Sequence, residues 1–204
     1  MKLLPFTYPW IVRKNIIGKI LDVGCGDGAQ MSMINSDREL NVTGLDLYKP
    51  YVEKAKKSGV YTNVLLGDVR KMNFKKASFD TVLSSQVVEH LTKIEARKLI
   101  STMEKIAKKR IIIGTTNGFF PFDPLEGKDG NPLQVHKSGW SIEEFKREGY
   151  HVYGQGLGIV YKPYGLAHRL SSVNMVWFLL SYLLAPVTYV FPQVSAYLIA
   201  VKSL

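Results

Sequence analysis

Five short apolar runs, separated by stretches of helical character, constrain this chain more than any other feature of its sequence. They are IIGKILDVG (16 to 24), NVTGLDL (41 to 47), YTNVLLGD (61 to 68), FDTVLSS (79 to 85) and RIIIGTT (110 to 116). Runs apolar on both faces suit strands buried in a parallel sheet. Helices are expected near 28 to 36, 49 to 58 and 92 to 109, the last with Leu91, Ile94, Leu99, Met103 and Ile106 on one face. Such alternation predicts an α/β fold, a doubly wound and mostly parallel sheet whose ligand crevice lies beyond the carboxyl ends of the strands.

Past residue 116 the pattern changes. A turn-rich loop (117 to 132) leads through His136 and Trp140 to the short helix SIEEFKREG, where Ser141 and Glu144 have capping-box spacing. YHVYGQG and SAYLIAVKS (195 to 203) alternate like strands, and between them 157 to 194 is an apolar insertion. The whole of 1 to 204 reads as a single domain carrying that insertion.

The chemistry should sit where the strands end. The first turn, Leu21-Asp22-Val23-Gly24-Cys25-Gly26-Asp27-Gly28, lets a ligand approach the backbone closely, and with Ala29 it also satisfies a dinucleotide fingerprint. Charge separates the two readings. Asp22 and Asp27, with no basic neighbour in the turn, repel a pyrophosphate and attract a cation. Asp46 ends the second strand, where a carboxylate can accept from both hydroxyls of a ribose. Asp68 ends the third, where it can accept from an exocyclic amine while Val69 meets a planar base.

These motifs, ILDVGCGDG, Leu45-Asp46, Gly67-Asp68-Val69 and FDTVLSSQVVEHL, resemble those of the class I S-adenosylmethionine-dependent methyltransferases, in the type 11 group that includes ubiquinone and menaquinone biosynthesis enzymes. SAYLIAVKS is similar to that family's final antiparallel strand. The resemblance implies a Rossmann-like sheet of seven strands and S-adenosylmethionine as cofactor. It also implies that Asp22 and the backbone of Gly24, Cys25 and Gly26, with Gly28 in the same turn, hold the methionine part. Asp46 would take the ribose, Leu47 and Val69 would sandwich the adenine above Asp68, and Ser85 and Gln86 would lie near the sulfonium.

A sulfonium methyl is already activated, so catalysis needs mainly an acceptor held in line, and a hydroxyl acceptor also needs a base. His90, after the fourth strand, and His136, after the fifth, are the candidate bases; the bland alternatives are a helix cap and a substrate-shaping side chain. His151 and His168 read as structural or exposed. Glu89 beside His90 raises a metal reading, since some quinone methyltransferases of this type use magnesium, but Gln86 stands where a further acid would have strengthened such a site, so no metal is expected. The single cysteine excludes a disulfide framework and any multi-cysteine zinc site.

No charge occurs from Leu170 to Val201, and Pro186 interrupts the densest part, 175 to 191. That stretch reads as a cap over the substrate, a hairpin dipping into one leaflet, or a packing or dimer surface. Any of the first two suits a small, hydrophobic or lipid-linked acceptor methylated at oxygen or carbon. The net charge of +10 would favour an acidic membrane surface and leaves methylation of tRNA or protein as the alternative. An NAD-dependent oxidoreductase and a non-catalytic cofactor-binding module are the readings from other classes. The opening MKLLPFTYPW lacks a signal-peptide core, so a cytoplasmic protein, peripheral at the membrane, is expected.

Overall fold

The computed structural model describes residues 3–121, 131–162, 165–166 and 174–204. The seven expected strands form one sheet: β1 (Ile20–Val23), β2 (Val42–Asp46), β3 (Asn63–Leu66), β4 (Phe79–Ser85), β5 (Ala107–Thr116), β6 (His151–Leu157) and β7 (Ser195–Ser203). Their order is β3-β2-β1-β4-β5-β7-β6. The first five strands run parallel, while β7 is antiparallel to both β5 and β6. The order reverses between β1 and β4, and a crevice opens there because the chain leaves these two strands in opposite directions.

Period-two alternation deals the apolar side chains to two faces. Leu21, Val82, Ile111, Ile113 and Leu198 share one cluster with α4 (Lys93–Ile106) and α5 (Ile142–Arg147). Their neighbours Ile20, Leu83, Ile112 and Ile199 share the other with α1 (Tyr8–Asn15) and α2 (Ala29–Ile34). Cys25 packs with Val52 and Ala55 of α3 (Lys49–Ser58) and with Val64.

Three expectations need correction. α4 stops at Ile106 instead of 109, because Ala77 N and Ser78 N take the carbonyls of Lys105 and Ile106 and Ala107 pairs with Phe79 in the sheet. Ile94 is 83% exposed; the buried face is Ala96, Leu99, Ile100, Met103 and Ile106, and Ile94 lies two residues, about 200°, from its first member. The opening segment, which carried no predicted element, forms α1, with Pro9 in its first turn, where a missing N–H costs nothing, and Ile11 and Val12 buried.

The insertion contributes α6 (Gly158–Tyr161), α7 (Asn174–Leu183) and α8 (Ala185–Val190). Leu157 pairs with Ser195, so both ends of the excursion are pinned side by side at the outer edge of the sheet. Tyr189 of α8 stacks on Tyr153 of β6 at 4.7 Å and meets Phe6 and Trp10 edge-on. Among the described residues, no helix is long and apolar enough to cross a membrane. His168, the centre of the 117 to 132 loop and the start of the uncharged stretch lie outside the described residues.

Candidate functional site

A cleft of about 340 Å³ opens over the carboxyl ends of β1 to β4. Four strand-end turns and one later segment line it: Asp22 to Gln30 around the glycine turn, Asp46 with Leu47, Asp68 with Val69, Ser85 with Gln86, and Asn131 to Lys137. None of the described residues of the insertion lines this cleft. The later segment is clamped by Lys137 N and Ser138 N, which donate to the Glu89 carbonyl at 2.7 and 3.1 Å.

The glycine turn has the backbone a close-fitting ligand needs. Gly24 and Gly26 have φ of 73° and 56°; a side chain at Gly24 would run into Val87, whereas the space above Gly26 is open. Gly28 does not line the cleft. It starts α2 at φ 87°, and a Cβ there would press on the Tyr61 ring at 3.1 Å, so its part is conformational. Gln86 holds φ 55° without being glycine, a strained backbone at the cleft wall.

Asp22 is 4% exposed and accepts from the Tyr61 hydroxyl at 2.8 Å. Burial lifts its carboxyl to about 7, against the help of that hydrogen bond and with a further push from Asp46. Asp46 accepts from Gly26 N at 2.9 Å and Tyr48 N at 2.8 Å, which ties the second strand end to the glycine turn. Asp68 is held by Arg70, whose Nε and Nη2 donate to its two oxygens at 2.9 and 2.7 Å; that fork keeps the carboxyl below its usual range. Acidity is therefore concentrated at the glycine turn and neutralised at the third strand end. Burial raises the Cys25 thiol well above its usual value, which keeps it protonated and removes it as a nucleophile.

Beyond β4 the Ser85 hydroxyl donates to Gln30 Oε1 at 2.7 Å and accepts from the Tyr8 hydroxyl, so α1 reaches the rim of the cleft. His90 lines the cleft and His136 stands behind it, ring centroids 4.8 Å apart. Burial pushes His90 down to about 4, leaving a neutral ring at pH 7. His136 Nδ1 bonds the Phe120 carbonyl at 2.7 Å, which requires Nδ1 to carry the proton and makes Nε2 the basic nitrogen. Glu89 is fully buried, accepts from Thr115 at 3.0 Å, and its Oε1 has no hydrogen-bond partner. Sequence reasoning weighed Glu89 beside His90 as a metal site and expected none. Among the described residues, Glu89, His90 and His136 are the group that could hold an ion, with ligand atoms within 4.8 Å of one another.

Of the residues singled out in the sequence, Asp22, Gly24, Cys25, Gly26, Asp46, Leu47, Asp68, Val69, Ser85, Gln86 and His90 meet at this one cleft; Gly28 and His136 stand just outside its lining. Tyr61, Tyr8, Arg70 and Lys137 were missed. Arg70 follows Asp68 by two residues and was findable, but nothing in the spacing of Tyr61 or Tyr8 announces a contact across the fold.

A family model described as a methyltransferase domain matches residues 21–112, the span from β1 to β5. Over those residues the chain carries a methyltransferase domain. Two Arabidopsis thaliana proteins, 24-methylenesterol C-methyltransferases 3 and 2, are 36% and 37% identical to it over 83 residues. That stretch is 38% of this chain and 23% of each relative, so the chain matches about a quarter of their length. A crystal structure of an S-adenosylmethionine-dependent methyltransferase from Archaeoglobus fulgidus superposes with a TM-score of 0.60 at 17% identity, over 96% of this chain and 90% of that one. It has the same fold. The residues of the cleft fit the family's cofactor: a buried carboxylate beside an open glycine turn suits an ammonium and a sulfonium, and the acidity there disfavours a phosphate.

Proposed function

We propose that the methyltransferase domain moves a methyl group from S-adenosylmethionine to a small, hydrophobic or lipid-linked acceptor, at oxygen or carbon, by in-line displacement. The observation that carries this reading is the convergence of Asp22, Asp46 and Asp68, from three successive strand ends, on one cleft beside Gly24 and Gly26. The sterol relatives support the acceptor class, since they are named for methylating carbon on a lipid.

When bound, the cofactor supplies a methyl already activated on a sulfonium. Asp22 would hold its ammonium, Asp46 the ribose, Asp68 the adenine amine, and Leu47 and Val69 the faces of the base. The neutral His90 ring at the cleft wall would take the proton of a hydroxyl acceptor, and His136 behind it would orient that ring. The segment 131 to 137 would keep water from the acceptor, which favours a step in which charge is dispersed.

Titration with S-adenosylhomocysteine and with NADH tests the cofactor; binding of the former alone is expected, and NADH binding overturns the reading. Incubation with a labelled methyl donor and separated lipid, RNA and protein fractions tests the acceptor. Label in the lipid fraction is expected, and label confined to RNA or protein replaces the acceptor class.

A further inference from the structure

The apolar helices α7 and α8 take no part in the cleft, and their exposure is not that of a packed insertion. On α7, Met175, Val176, Phe178, Leu179, Leu180 and Leu183 are each 37 to 74% exposed. At about 100° per residue these side chains sweep an arc of about 200°, and the buried Ser181 lies opposite. A helix docked on one partner presents a stripe about 100° wide. An arc twice that width calls for a medium that closes round the helix. α8 and the turn after it continue the surface with Val187, Val190 and Phe191 at 44, 62 and 58% exposure.

The geometry limits what that medium can be. α7 has 10 residues, a length of about 15 Å, half of a hydrocarbon core of about 30 Å. Because Leu157 pairs with Ser195, the chain leaves and returns at the same place. Basic groups stand at the foot of the apolar surface. Lys14 reaches the Tyr189 hydroxyl at 3.1 Å, and Lys162 follows α6, whose Gly158 lies against Val194. The chain as a whole carries a net charge of +10. An apolar projection footed by cations matches the acyl layer and the headgroups of an acidic leaflet together.

We propose that α7 and α8 form a monotopic anchor that sinks into one leaflet of an acidic lipid bilayer, with Lys14 and Lys162 at the level of the headgroups. This anchor stands independently of the acceptor assigned above. The test is flotation of the full chain with vesicles of phosphatidylcholine, with and without phosphatidylglycerol. Two double variants accompany it, Phe178→Asp with Leu183→Asp and Lys14→Gln with Lys162→Gln, and each is checked for unchanged S-adenosylhomocysteine binding. Expected is binding that favours the acidic vesicles and weakens with salt, about tenfold weaker in the aspartate variant and less strongly weakened in the glutamine variant. Failure of the parent chain to float with either vesicle overturns the proposal, as does flotation of the aspartate variant equal to the parent. A concentration-dependent dimer that the aspartate pair dissolves, with no vesicle binding, overturns it in favour of a second copy.

Discussion

Asp22 occupies a place that discourages the charge it needs. With its carboxyl raised to about 7 by burial, the apoprotein holds it largely protonated below neutrality, whereas an ammonium requires the carboxylate. Cofactor affinity should therefore fall by about tenfold per pH unit below 7 and level off above it, as read by calorimetry across pH 5.5 to 8.5 with S-adenosylhomocysteine. Asp22→Asn should weaken binding at pH 8 by about 10- to 100-fold and flatten that dependence. The sign of the effect on stability is opposite. A carboxyl whose folded pKa is raised stabilises the fold less as pH climbs from about 4 to 7, so the empty Asn variant should melt higher than the parent at pH 8, by roughly 1–3 kcal/mol. Loss of ligand with gain of stability marks a functional group, and a merely structural carboxylate would lose both. His90→Ala should lower turnover on a hydroxyl acceptor by about 10²- to 10⁴-fold with S-adenosylhomocysteine affinity nearly unchanged. The carboxylates were legible because each ends an apolar run; Tyr61, 39 positions from Asp22, was not, since only the folded sheet brings them together.

At the scale of elements, the start of α4 is joined to the cleft. Thr92 and Glu95 form a reciprocal capping box, and Glu95 also accepts from Arg70 Nη1 at 3.2 Å while Arg70 grips Asp68. Thr92→Ala should cost about 1 kcal/mol in thermal or denaturant unfolding. Arg70→Ala should cost little stability, because the Arg70 side chain is exposed, yet change cofactor binding by releasing the Asp68 carboxylate. If affinity for S-adenosylhomocysteine is the same in Arg70→Ala as in the parent, Asp68 does not touch the base. The second capping box, Ser141 with Glu144, was readable from spacing alone and is present. The end of α4 was not: helical periodicity continues past Ile106, and the sheet, by claiming Ala107 as a partner of Phe79, decides where it stops.

Over the whole molecule, two clusters clamp one sheet between α1 and α2 on one side and α4 and α5 on the other, and the cleft opens where the strand order reverses. A ligand held by turns from β1, β2, β3 and β4 at once should stabilise the fold as a unit. At a concentration of 100 times its dissociation constant, S-adenosylhomocysteine should add about 2.7 kcal/mol, a rise in Tm of roughly 5–10 °C in a thermal shift assay. NADH at the same concentration should add nothing.

The amino-acid sequence by itself determined the strands, their parallel pairing and the carboxylates at their ends, because all of these are written in local periodicity and in the residue that closes each run. It also marked 157 to 194 as apolar. Tertiary structure alone decided what that apolar stretch faces. Pairing of Leu157 with Ser195 starts and ends the excursion at the outer part of the sheet, and among the described residues the cleft is lined by the segment 131 to 137 and by none of the insertion. Hydrophobicity says that a surface avoids water, but its place in the fold comes from the strands that anchor its ends, and those pairings join residues far apart along the chain.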